Sequence, residues 1–179
     1  MKKVLVISSS LRPESNSEKL AIAFTQGARD AGNDVEFVSL KGKRVAACFG
    51  CFACLSSGKC VVRDDATQLC AKMKECDAVC FATPVYYYGM SGLLKIFLDR
   101  MNPLYSSDYR FRDVYYMISA AENKEKTPKG AITALEGWID CFEHARLAGT
   151  VFAGGVNEPG EIAARQDLLN RAYELGKNC

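Results

Sequence analysis

The chain has 179 residues, 49% of them hydrophobic, enough to bury one sizeable core without covalent staples; a single domain over residues 1–179 is expected. The net charge of +2, with acids and bases dispersed, leaves no footprint for nucleic acid or an anionic membrane. Met1-Lys2-Lys3 opens straight into Val4-Leu5-Val6-Ile7, too short for a signal-peptide core or a span, so a cytoplasmic protein with reduced cysteines and small-molecule chemistry is expected.

The first strand is predicted from Lys3 to Ser9, and the segment after it, Ser10-Leu11-Arg12-Pro13-Glu14-Ser15-Asn16-Ser17, leads into a helix over Ser17 to Ala31. Hydroxyls, an amide and free backbone N–H groups converge there at a helix N-terminus, which suits a phosphate; Ser10, Asn16 and Ser17 are its candidate donors. The same residues could equally cap the helix through Ser15 or Asn16 with no ligand. Neither G-x-x-x-x-G-K-[ST] nor G-x-G-x-x-G is present, which argues against nucleotide hydrolysis and a dinucleotide fold and leaves a monophosphate. A second strand is predicted over Asp34 to Leu40, followed by a long segment, Lys41 to Asp65, and a helix over Ala66 to Glu75 that Asp64 or Asp65 would cap.

The third strand, Asp77 to Thr83, runs into Pro84-Val85-Tyr86-Tyr87-Tyr88-Gly89, and Ser91 can cap a helix reaching Met101. Aromatic faces and free amides at that point suit a flat, partly polar ring, although a hydrophobic loop for oligomer packing would use the same residues. After a second long segment, Asn102 to Arg112, come a strand over Asp113 to Ala121, a helix over Ala131 to Leu147, a strand over Gly149 to Ala153 and a helix over Gly160 to Leu175. Alternation of this kind predicts an α/β fold: a three-layer, doubly wound, five-stranded parallel sheet in the order 2-1-3-4-5, with its ligand crevice at the carboxyl ends of the first and third strands.

Three motifs in register carry a resemblance: Ser10-x-Arg12-x-x-x-Asn16-Ser17; then Cys51-x-x-Cys54 with Gly58-Lys59-Cys60 through Asp64-Asp65; then Thr83-Pro84-Val85-Tyr86 through Lys95 to Asp99-Arg100. Together they resemble the flavodoxin-like NAD(P)H-dependent FMN reductases across roughly the first 120 residues. The resemblance implies that Ser10, Arg12, Asn16 and Ser17 hold an FMN phosphate. It also implies that Pro84, Val85, Tyr86, Tyr87, Tyr88 and Gly89 hold the flavin ring and that Ser119, Ala120, Ala121 and Glu122 complete the pocket. NAD(P)H is then the electron donor, a quinone, flavin or other small molecule the acceptor, and a homodimer or homotetramer the assembly. Tyr86 to Tyr88 would shape the acceptor pocket, with Trp138 or another subunit's tyrosine, and Tyr105 to Phe111 could serve the interface. The family's usual glycine before the first serine is Ser9 here, which narrows the backbone geometry open to the loop.

Cys48, Cys51, Cys54 and Cys60 form C-x2-C-x2-C-x5-C, a spacing suited to shared ligation of a [4Fe–4S] cubane. It resembles the iron–sulfur flavoproteins, in which a ferredoxin-like partner would deliver electrons through the cluster to FMN. A redox dithiol, structural zinc or uncommitted thiols remain open readings of the four. Cys70, Cys76, Cys80, Cys141 and Cys179 read as structural, the last at a frayed terminus. His144 is the only histidine and is expected in mid-helix, which argues against a Ser-His-Asp hydrolase. Asp99-Arg100 reads as an interface pair or a solvated helix end.

Overall fold

The computed structural model describes residues 1–179 as a five-stranded parallel sheet in the order β2-β1-β3-β4-β5. The strands are β1 (Lys3–Ser8), β2 (Asp34–Ser39), β3 (Ala78–Pro84), β4 (Asp113–Ala120) and β5 (Arg146–Gly154). Helices α1 (Asn16–Asp30), α2 (Ala53–Ser57), α3 (Asp65–Glu75), α4 (Gly92–Asp99), α5 (Lys129–Ile139) and α6 (Gln166–Lys177) connect or follow them. The expected order and three-layer architecture are therefore observed.

Period-two alternation in the central strands supplies two cores at once. Leu5 and Ile7, Val79 and Phe81, and Val114, Tyr116 and Ile118 point to the face covered by α3, α4 and α5. Val4 and Val6, Cys80 and Ala82, and Tyr115 and Met117 point to the opposite face, covered by α1 and α6. No helix is long and apolar enough to cross a membrane.

Three boundaries differ from expectation. The helix foreseen over Ala131 to Leu147 ends at Ile139, and β5 starts at Arg146 rather than Gly149. The intervening residues turn so that Phe142 packs 4.6 Å from Trp138 and 5.3 Å from Phe111, centroid to centroid. His144 thus sits in this turn and not in mid-helix. Trp138 also stacks on Phe111 at 6.0 Å and meets Phe81 edge-on, so it belongs to this aromatic core rather than to an acceptor pocket. The last helix is split: a 3-10 turn over Glu161–Ala164 precedes α6, broken at Arg165, whose ψ of 64° is not helical. The C-terminus is packed, not frayed: the Cys179 N–H bonds the Gly176 carbonyl and its sulfur accepts from Asn33.

The aspartates before α3 also act differently. Asp64 makes no side-chain cap. Its carboxylate instead receives the Arg100 guanidinium at 2.7 and 2.9 Å and the Ala46 N–H at 2.8 Å. Arg100, the C-cap of α4, is neither solvated nor an interface residue: its side chain is 0% exposed and that of Asp64 1%. The other contacts of its Nη groups are to the carbonyls of Ala46 and Val62 and to Thr67 Oγ1. The pair pins both ends of the long segment after β2 to the C-terminal end of α4.

Burial works to raise the Asp64 carboxyl, but the hydrogen bonds from Arg100 and the Ala46 N–H outweigh it and hold its pKa below the usual 3.8. A carboxyl depressed on folding contributes stability that is complete above the unfolded value and is lost as pH falls through the folded one. Asp64→Asn, which strands a buried guanidinium, should cost about 3–5 kcal/mol in urea denaturation at neutral pH. The deficit should shrink as wild type is acidified below the usual aspartate range. A neutral-pH cost under about 1 kcal/mol, the scale of exposed pairs, would mean that the pair does not hold the segment.

Candidate functional site

All five strand carboxyl ends lie on one edge of a parallel sheet, so the loops after β1, β3, β4 and β5 meet there. Ser15 is the N-cap of α1 and accepts the Glu18 N–H at 3.4 Å, while the Asn16 and Ser17 N–H groups have no intrahelical acceptor. The hydroxyls of Ser10, Ser15 and Ser17 are buried beside this helix end, and Arg12 stands exposed with its Nη1 on the Asn157 carbonyl at 2.8 Å.

A hollow of about 160 Å³ is lined by Ser10, Arg12, Ser15, Asn16, Pro84, Val85, Tyr86, Ser119, Ala120 and Ala121, and by Val156, Asn157 and Pro159 from beyond β5. A second hollow of about 240 Å³ shares Val85, Ala120 and Ala121 with it and adds Tyr87, Tyr88, Glu122 and Thr127. Of the fourteen positions implied by resemblance, twelve line these two hollows; Ser17 lies behind the first and Gly89 closes the tyrosine turn. Missing from the sequence-level set were Ser15, Thr127 and the residues after β5.

The Asn16 side chain is already committed: Nδ2 donates to the Val156 and Glu158 carbonyls at 3.3 and 2.9 Å, and Oδ1 accepts the Ile162 N–H at 3.1 Å. It ties the loop after β5 to α1, leaving its backbone N–H as the group free to meet an anion. Ser9, where a glycine was expected, does not have a positive φ. Its hydroxyl donates to the Ala82 carbonyl at 2.8 Å and accepts from Ser91, whose own oxygen receives the Leu94 N–H. This chain of bonds locks the ends of β1 and β3 to the start of α4, so the loop does not need glycine's freedom here.

After β3 the chain makes a tight reversal: Tyr86 and Gly89 exchange both backbone hydrogen bonds at 3.0 Å. Tyr87 and Tyr88 occupy its two central positions with φ of 49° and 62°. Positive φ at both is the geometry of a type I′ turn, normally filled by asparagine or glycine, so two tyrosines there are strained. Tyr87 is 103% exposed, with nothing in the chain to compensate. Strain held by an exposed aromatic at a crevice is a mark of a binding surface. Lys126 Nζ lies 5.2 Å from the Tyr88 ring centroid, and a Cβ on Gly130 would meet the Tyr88 carbonyl oxygen at 2.3 Å, so α5 abuts this turn closely. Glu122 is held ionised, its pKa pulled down to about 2 by the hydrogen bond from Lys124 and then that from Thr127. It fastens the loop after β4 and offers no proton near neutral pH.

The four clustered cysteines all line one cavity of about 280 Å³, together with Phe52, Asp99, Arg100 and Asn102. Cys48 and Cys51 are exposed, Cys60 half-buried and Cys54 buried. No three His, Cys, Asp or Glu side chains converge to hold a single metal ion, as structural zinc would require. Asn102 Nδ2 donates to Cys54 Sγ at 3.0 Å. Behind the cavity, burial pushes the Cys70 thiol up to about 12 and Cys60 adds to the effect, so Cys70 stays neutral. The cysteine cavity and the tyrosine turn lie at opposite ends of α4, a helix of eight residues, or about 12 Å at 1.5 Å per residue.

The model of the NADPH-dependent FMN reductase family matches residues 2–155. The chain belongs to that family. Within this reach lie every strand, the serine loop, the cysteine segment and the tyrosine turn. An iron-sulfur flavoprotein of Methanocaldococcus jannaschii is 40% identical over 102 residues, 57% of this chain and 53% of that protein. A Bacillus subtilis protein named as an NAD(P)H-dependent FMN-containing oxidoreductase is 33% identical over 123 residues, 65% of this chain and 67% of that one. Against the iron-sulfur flavoproteins heading the matches, this reductase-family chain aligns over about half of their length. In fold it superposes on an NAD(P)H:quinone oxidoreductase from Methanothermobacter marburgensis with a TM-score of 0.75, at 20% identity over 99% of this chain and 95% of that one.

Tyr87→Gly tests the strain directly. Relief of a left-handed conformation, offset by glycine's entropic cost, should stabilise the protein by about 1 kcal/mol in urea titrations. A clear loss of stability instead would show that the exposed ring has a partner that pays for its conformation.

Proposed function

We propose that residues 1–179 form a single FMN-binding domain that moves electrons from NAD(P)H to a quinone, a flavin or another small acceptor. The observation carrying this is the meeting of an anion-ready helix N-terminus and a strained aromatic turn across two adjoining hollows on the strand-end edge. When bound, FMN supplies hydride acceptance at N5 and electron release from its ring.

The phosphate fits the first hollow: Ser10 and Ser15 offer hydroxyls, Arg12 its guanidinium, and the start of α1 its unpaired N–H groups. Ser17 supports Ser15 from behind, their oxygens 3.2 Å apart. The ring is assigned to the second hollow, between Pro84 to Gly89 and Ser119 to Glu122, where Ala120 and Ala121 allow close approach and the exposed tyrosine faces are open to a donor or acceptor. No side chain is assigned as an acid–base catalyst. A second subunit covering Tyr86, Tyr87 and Tyr88 would complete the pocket in a homodimer or homotetramer.

A second reading is favoured by the cysteine cavity. All four thiols of the motif line one cavity, and four thiolates are the ligand set of a cubane. In that reading the chain is an iron–sulfur flavoprotein carrier: Cys48, Cys51, Cys54 and Cys60 hold a [4Fe–4S] cluster, and a ferredoxin-like partner delivers the electrons.

Anaerobic purification with a visible spectrum, iron and sulfide analysis, and titration with NADPH and NADH separates the readings. Stoichiometric FMN, negligible iron and rapid bleaching by either nicotinamide supports the first; iron and sulfide near four equivalents each, the content of one cubane, with slow bleaching supports the second. A protein that stays colourless after incubation with FMN would defeat both. Arg12→Ala should weaken FMN binding about 10- to 100-fold in fluorescence titrations, the worth of one charged hydrogen bond.

A further inference from the structure

The wall of the cysteine cavity contains an unsatisfied donor. Arg100 carries five N–H protons. Its Nη atoms serve Asp64, the Ala46 and Val62 carbonyls and Thr67, but Nε, fully buried, has no hydrogen-bond partner. Natural proteins rarely leave a buried N–H of a charged group orphaned, and such a vacancy calls for an acceptor. A neutral thiol is a poor acceptor and a thiolate a good one. The cavity that Arg100 lines offers cysteine sulfur. The neighbouring sulfur is that of Cys60, which lines the same cavity and stands two residues before Val62, whose carbonyl already accepts from Arg100 Nη2 at 3.1 Å.

Two residues further on, Asn102 donates to another sulfur of the motif, with Nδ2 at 3.0 Å from Cys54 Sγ. Asn102 opens the 3-10 turn after α4 and is fixed by that turn, where the Tyr105 N–H bonds its carbonyl. Both donors therefore stand where α4 ends and the 3-10 turn begins, on the lining of the cavity that holds the cysteines of the motif. One brings a full positive charge whose counter-ion, Asp64, does not line the cavity and is engaged by three hydrogen bonds.

We propose that Arg100 and Asn102 are positioning residues that raise the reduction potential of a cluster held by Cys48, Cys51, Cys54 and Cys60, by N–H···S hydrogen bonds to the Cys60 and Cys54 sulfurs. This rests on the cluster reading of the cavity. One-electron reduction adds a negative charge spread over the cluster and its thiolate ligands, and donors aimed at those sulfurs stabilise the reduced form more than the oxidised one. The electron comes from the reductant; no proton or bond at Arg100 or Asn102 is exchanged.

The test is an anaerobic redox titration of the reconstituted chain, with dithionite as reductant and the reduced cluster followed by electron paramagnetic resonance. Asn102→Leu keeps the shape of the side chain and removes its donor; it should disfavour reduction roughly tenfold, a downward shift of about 59 mV for a one-electron couple. Arg100→Lys keeps a charge for Asp64 and loses the planar Nε–H, and should shift the potential in the same direction. Should Arg100→Lys fail to fold, Asn102→Leu decides alone. A purely structural role would lower iron content or thermal stability while leaving the potential of the loaded fraction unchanged, so a wild-type potential in Asn102→Leu overturns the inference and leaves the cluster reading standing. Wild-type protein that takes up no iron and sulfide overturns the cluster reading, and the inference with it.

Discussion

Parallel pairing is the constraint from which the site follows. Because β1, β3, β4 and β5 all run the same way, the chain must leave each of them at the same edge, and each loop begins within reach of its neighbours. The reversal of winding between β1 and β3 then parts the connections, opening the crevice between the serine loop and the tyrosine turn. Nothing in the hollow needs to be built by long-range coincidence. Ser9, Ala82 and Ser91 form the hinge pin of the arrangement, since their hydrogen bonds hold the two strand ends and the start of α4 at one separation.

The central elements were legible because their patterns have one physical cause each. Strands buried on both faces must be continuously apolar, and β3 and β4 are; a helix capped by serine announces itself, as α1 and α4 do at Ser15 and Ser91. Legibility failed where tertiary packing outweighed local pattern. Residues 140–145 carry enough apolar character to extend α5, yet Phe142 gains more by folding back onto Trp138 and Phe111. Asp64 has the look of a helix cap, and only the approach of Arg100 from thirty-six residues away reassigns it.

At the site, the short motifs were readable since each loop is contiguous in sequence, whereas Val156, Asn157 and Pro159 carry no motif and enter only because Asn16 draws their loop against α1. The same bonds show why residue type alone misjudges Asn16: an amide expected to face a ligand is consumed in holding the wall behind it. The substitution of Ser9 for glycine is likewise harmless for a reason visible only in three dimensions, an unexceptional backbone and a hydroxyl with two partners.

The buried ion pair between Arg100 and Asp64 has a consequence for how the cysteine segment comes into being. Many small metal-binding loops are disordered until their ion arrives, and the free energy of binding is then spent on folding. Here both ends of the segment are fastened by Arg100, Asp64 and the Ala46 and Val62 backbone, with no metal in the linkage. Its thiols are therefore carried between two fixed points of the fold, and whatever they bind meets a segment moored at both ends.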